Sequence, residues 1–211
     1  MTRLVIVEIG AYLAVPLLGK YLVDNEHTVI KIARPSNVKG HTEEVKRMGQ
    51  VYERLLKGKD IRCLNIPSHL PEVYALIASA DVLIENFGHT KMSRLNVDFD
   101  TCMKINPNLV YLSIPAFDPR DEDLSRLQGW DSIVMAASGM LKNMGLNRTL
   151  LGIPVSFTPF PLPSVYASMF AFLSLQTAIF AEQKGVHITI PAACALSEAL
   201  VHNSIEYPID V

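Results

Sequence analysis

Charge is scarce in this sequence. Lys, Arg, Asp and Glu make up 19% of the 211 residues, hydrophobic residues make up 49%, and mean hydropathy is +0.23. Intrinsic disorder, which needs low hydrophobicity and high net charge, is excluded. Neither sign dominates: net charge is −2 and the pI is near 6.3. A nucleic-acid partner held by bulk positive charge is therefore not expected. Cysteine is also sparse. Cys63, Cys102 and Cys194 are odd in number and far apart. They exclude a disulfide framework and read as reduced thiols of an intracellular, cytoplasmic protein. No C-x-x-C occurs, and the six histidines show no metal-ligand spacing, so no metal is expected. The sequence has no G-x-G-x-x-G, no Walker A and no G-x-S-x-G. At the amino terminus, Glu8 interrupts the apolar run too early for a signal-peptide core.

Short apolar runs alternate with longer helical patterns. Leu4–Val7, Thr28–Ile32, Ile61–Leu64, Val82–Glu85, Val110–Ile114 and His187–Ile190 read as strands, short and mostly β-branched as buried parallel strands are. Ala11–Leu22, Pro71–Ala80, Asp98–Ile105, Ser132–Leu141, Ser164–Glu182 and Ala192–His202 read as helices. The alternation predicts one α/β domain with a mainly parallel, Rossmann-like sheet and helices on both faces. Such sheets bind ligands at the carboxyl ends of their strands. Ser164 is the expected cap of the long helix after Pro163, and Thr189 of the helix after Pro191. Cys194, in an apolar helix, is expected in the core.

No charged residue occurs from Thr149 to Ala181, a stretch of 33 residues. Its first half holds Pro154, Pro159, Pro161 and Pro163, and its helical half carries Ser168, Ser174, Gln176 and Thr177. A membrane span needs ~20 mostly apolar residues; a helix buried on most sides, in a core or subunit interface, is the expectation here. By contrast, Arg34 to Asp60 holds seven Lys or Arg and four acids, and reads as solvated surface.

Several segments together resemble the family III CoA-transferases, the carnitine-dehydratase and bile-acid-inducible-protein-F group, with α-methylacyl-CoA racemases as relatives. The first segment runs from Val7-Glu8-Ile9-Gly10 to Val29-Ile30-Lys31-Ile32, and the second is Lys57-Gly58-Lys59-Asp60. The third, Ala80-Asp81-Val82-Leu83-Ile84-Glu85-Asn86-Phe87, carries the resemblance most strongly, followed by Asn106-Pro107-Asn108-Leu109-Val110-Tyr111 and Gly129-Trp130-Asp131. The matches keep order and spacing from Val5 to about Leu200.

The resemblance implies a site for coenzyme A or an acyl-CoA as ligand, with no cofactor required. Leu13 and Ala14 are expected at the thioester arm. Lys57 and Lys59 are expected near the phosphates and Arg34 at the adenosine or phosphate end, while Asn86, Phe87 and Gly88 line the adenine side, with the cation Arg94 nearby. Phosphates want Lys, Arg and backbone donors, while adenine wants a flat apolar wall. The chemistry carries over less well. The family's acyl-accepting aspartate opens the long helix, where Pro163-Ser164 stands here, and the racemase histidine of G-H-D is replaced by Trp130. His89, Asp131 and Ser164 are the remaining candidates for catalysis, each with a bland alternative: a loop histidine, a structural cap and a helix cap. Two functions stay open. One is an enzyme with the scaffold kept and the chemistry changed, acting on a small carboxylate or CoA thioester. The other is a non-catalytic subunit that binds a CoA ester or a full-length homologue. Residues 1–211 would be the large domain alone, without the small domain and returning segment, and a homo- or hetero-oligomer is expected, with no membrane association.

Overall fold

The computed structural model describes residues 3–35, 46, 48–141, 152 and 158–200. Six parallel strands form one sheet in the order β3-β2-β1-β4-β5-β6. The strands are β1 (Val5–Ile9), β2 (Thr28–Ala33), β3 (Asp60–Cys63), β4 (Val82–Glu85), β5 (Val110–Ser113) and β6 (His187–Thr189). All six strands expected from the sequence are present, with small shifts at their ends. The order reverses direction at the β1–β4 pair, the place where an open α/β sheet leaves a crevice.

Eight helices accompany the sheet among the described residues: α1 (Ala14–Asp24), α2 (Gln50–Leu56), α3 (Leu70–Ala78), α4 (His89–Arg94), α5 (Phe99–Ile105), α6 (Asp131–Ala137), α7 (Leu162–Phe180) and α8 (Ala192–Ala199). The sequence pattern does not reveal α2 and α4, which are seven and six residues long. Side chains alternate across each strand. Ile6, Val29, Ile84 and Leu112 face a core shared with α1, α7 and α8. Val7, Leu83 and Tyr111 face the opposite core, built with Val73 and Ile77 of α3, Met92 of α4 and Cys102 of α5. Both faces are thus covered, which is why the strands read as continuous apolar runs.

Three local expectations are corrected. Helix α7 begins at Leu162 with Pro161 as its cap residue, so Ser164 lies inside the first turn. Thr189 does not cap α8. It sits in β6 with its hydroxyl 3.3 Å from that of Ser113, and Pro191 takes the cap position. Cys194 is exposed, not core.

Helix α7 is also less covered than its composition implies. A narrow stripe of Ala167, Ser168, Ala171, Leu175 and Ala178 is buried against α1 and the sheet. Small side chains let the helix lie close, and the single proton of the Ser168 hydroxyl is shared between the carbonyls of Ala14 and Ser164, at 2.7 and 2.6 Å. Met169, Leu173 and Phe180 remain exposed, Phe180 at 90%. By length and composition α7 could cross a membrane, but a third of its most apolar window is packed inside this fold.

Candidate functional site

The carboxyl ends of β1, β2 and β4 open into a cavity of about 740 Å³. Its size suits a cofactor-sized ligand. The turn after β1 forms one wall. There Tyr12 adopts φ 60°, a left-handed conformation that is uncommon outside glycine, and its ring meets Trp130 edge-on with centroids 5.0 Å apart. Asn86, just past β4, clamps the same turn. Its side chain accepts from the Ala11 amide at 3.0 Å and donates to the Ala11 carbonyl at 2.9 Å. Leu13 and Ala14 follow, where α1 starts without a side-chain cap. Unpaired first-turn amides are suited to an anion.

One end of the cavity is cationic. Arg34 leaves the end of β2, and Lys91 and Arg94 come from α4. Both Arg34 and Lys91 lie over the Phe87 ring, at 5.7 and 3.3 Å from its centroid. Glu85, buried at the end of β4, accepts from the amides of Phe87 at 2.6 Å and Gly88 at 3.0 Å. It thereby holds the turn that starts α4. Gly88 has φ 77°, which an L side chain rarely adopts. Burial pushes the Glu85 carboxyl up to about 7, against the pull of those two amides and Lys91. Burial and the nearby Arg34 push the Lys91 ammonium down to about 8.

The rest of the lining includes Arg126 and a single acid, Asp131. Asp131, the first residue of α6, reaches the first turn of α7. Its carboxylate accepts from the Ser164 amide at 2.7 Å and from the Ser164 hydroxyl at 2.9 Å. Burial raises its affinity for a proton, opposed by the two Ser164 bonds. Both residues line the cavity.

The chain matches the model of CoA-transferase family III over residues 1–206. The chain belongs to CoA-transferase family III. Among curated proteins it is 33% identical over 210 residues to the CoA-transferase/lyase DddD of Marinomonas sp., covering 97% of this chain and 24% of that protein. It is 27% identical over 199 residues to the acetyl-CoA:oxalate CoA-transferase of Acetobacter aceti, covering 89% of this chain and 49% of that one. The chain thus spans from about a quarter to about half of these relatives. Among solved structures, a hypothetical protein of Mycobacterium tuberculosis superposes with a TM-score of 0.81 at 21% identity, over 95% of this chain and 57% of that one. A CaiB/BaiF family protein of Brucella suis superposes with a TM-score of 0.77 at 22% identity, over 94% and 55%. These likenesses share the fold.

Within the family fold, the structure gathers most residues expected at a CoA site. Leu13, Ala14, Arg34, Asn86, Phe87, Arg94, Asp131 and Ser164 line one cavity. Gly88, expected on the adenine side, is not among the lining residues; it is the cap residue of α4. His89 is exposed as the first residue of that helix and is not among the lining residues.

Two expected phosphate ligands are placed elsewhere. Lys57 is exposed after α2, ahead of β3, at the amino ends of the strands and away from the cavity. Lys59 is turned inward. Its ammonium has no exposure and lies 2.5 Å from Glu8 Oε2 and 2.8 Å from the Pro16 carbonyl. Glu8 also pairs with Lys31 at 2.9 Å, and Lys31 donates to the Gly10 carbonyl at 2.8 Å. The basic turn thus feeds a buried ion triad under α1. Gly19 makes room for it, since a Cβ there would overlap Glu8 Oε2. Other cations of the basic stretch, Lys39 and Arg47, lie outside the described residues.

Lys91, which lines the cavity, is not among the sequence candidates, and the candidate Asp131 is named there without its partner. Lys91 belongs to no motif, although its spacing of three from Gly88 on a helix would place it over the Phe87 turn. Asp131 reads as remote from the long helix because 33 residues separate it from Ser164. Helix α7 indeed has no acid in its first turn, yet a carboxylate stands there, supplied by α6.

Proposed function

We infer that this chain binds the CoA thioester of a small carboxylic acid and acts on the acyl group by proton transfer at Asp131. The cavity carries the reading by itself: it joins a cation-and-aromatic end at Arg34, Phe87 and Arg94 to a carboxylate end at Asp131 and Ser164. The nucleotide belongs at the first and the acyl group at the second. Residues 3–200 would supply the family's CoA-binding sheet domain.

Asp131 is suited to proton transfer rather than acyl acceptance. Each of its oxygens accepts a bond from Ser164, which fixes the orientation of the group, and burial still leaves its proton affinity raised against those bonds. A carboxylate with raised proton affinity is a better base near neutral pH. Removal of a proton from the acyl chain fits a lyase or isomerase step. The relative named a CoA-transferase/lyase supports that class of chemistry. An acid in the cavity also favours an enzyme over a purely structural subunit.

The test is deuterium exchange. Acetyl-CoA and short acyl-CoA esters incubated in D2O are expected to gain deuterium on the acyl chain with the native protein, and not with Asp131→Asn. Rapid exchange of CoA between acyl-CoA and free carboxylates, without deuterium gain, would overturn the proton-transfer reading.

A further inference from the structure

A second cavity of about 300 Å³ adjoins the first. It is a slot walled by Ile32, Leu64, Ile66, Pro67 and Leu95. The two cavities share Ala11, Arg34, Phe87 and Lys91, which therefore stand at their junction. A ligand with a flat apolar end in the slot and a chain in the larger cavity would pass these four residues, two of them cations.

Lys91 is unusual at that junction. It is half-buried, and its ammonium makes neither a hydrogen bond nor an ion pair among the described residues. It lies over the face of the Phe87 ring. An ammonium taken partly out of water without an acceptor is costly, and two cations face each other here. The turn bound by Glu85 fixes the start of α4, and with it the backbone position from which Lys91 reaches the junction. An anion lodged between Arg34 and Lys91 would supply the missing acceptor and cancel the repulsion.

We propose that Lys91 is a phosphate-binding residue, which with Arg34 clamps a phosphate of the CoA thioester at the junction of the two cavities. This rests on the CoA reading above. The charged groups acting on Lys91 are Arg34 at the end of β2 and Glu85 of β4, while Lys31 of β2 lines the slot with it and Arg94 of its own helix lines the larger cavity. Its ammonium is held down by burial and by Arg34, so a bound phosphate draws a proton onto it at mildly alkaline pH.

Titration calorimetry with CoA, dephospho-CoA and inorganic pyrophosphate tests this on the native protein, Lys91→Met and Lys91→Arg. A lost charge-assisted bond predicts roughly 10- to 100-fold weaker CoA binding by Lys91→Met and about threefold or less for Lys91→Arg. Native protein titrated at pH 8 in two buffers of different ionisation enthalpy is expected to show proton uptake, which Lys91→Arg abolishes. If only CoA, and not dephospho-CoA, weakens in Lys91→Met, the clamped group is the 3′-phosphate; equal weakening assigns the pyrophosphate. Native binding that Lys91→Met leaves unchanged, with no proton uptake, overturns the role of Lys91 alone. Pyrophosphate binding without CoA binding keeps the clamp and overturns the CoA reading. Binding of none of the three probes overturns both.

Discussion

Lys59→Met separates two roles for the basic turn. As a phosphate ligand, Lys59 would matter for CoA and little for stability. The structure predicts the reverse. The side chains of Glu8, Lys31 and Lys59 have exposures of 0%, 2% and 0%. Removing Lys59 leaves Glu8 Oε2 and the Pro16 carbonyl without their donor, while Met fills nearly the same volume and limits any cavity. Breaking a buried charge pair from one side costs about 3–5 kcal/mol. The surviving Glu8–Lys31 pair remains neutral overall, which puts the expected loss at the lower end, about 3 kcal/mol. For a chain of this size that is a fall in Tm of roughly 6–12 °C. Urea unfolding followed by circular dichroism reads the stability directly, and Lys57→Ala, at an exposed position, is expected to stay within about 0.5 kcal/mol. Gly19→Ala should act through the same triad, because its new Cβ comes within 2.7 Å of Lys59 Nζ and overlaps Glu8. A Lys59→Met variant that loses less than about 1 kcal/mol but binds CoA far more weakly would refute the buried triad and restore the phosphate role.

Two further outcomes follow from the site. Glu85 holds its proton in the folded chain up to about 7, whereas an unfolded glutamate releases it near 4.5. Its contribution is therefore full below about 4.5 and is lost as pH rises to about 7, by up to about 3 kcal/mol; Glu85→Gln, which still accepts from the Phe87 and Gly88 amides, should flatten that part of the stability–pH curve. Asn86→Ala removes both bonds to Ala11 and is expected to cost about 1–3 kcal/mol in urea unfolding and to weaken CoA binding, since the Tyr12–Leu13 turn loses its clamp.

The six strands, their parallel pairing and the family were legible in the sequence. Parallel strands buried on both faces must be continuous apolar runs, so β1, β2, β4 and β5 announce themselves in four to six residues each. The Glu85-Asn86-Phe87 turn was legible too, because its work is local: Glu85 binds amides two and three residues on. What the tertiary structure alone decided concerns groups whose surroundings come from other elements. Lys59 reads as surface in a charged stretch, and only the crossing of α1 over β1 makes it a buried partner of Glu8, 51 residues away. Helix α7 reads as buried on most sides from its composition, yet exposure depends on how wide a stripe its neighbours cover, and they cover a narrow one of mostly small residues with Leu175. Asp131 becomes the carboxylate at the start of α7 through the packing of α6 against it, a contact no periodicity encodes. Periodicity reports which face of an element is apolar; the fold of the chain decides which charge meets that face, and charge energetics depend on that meeting.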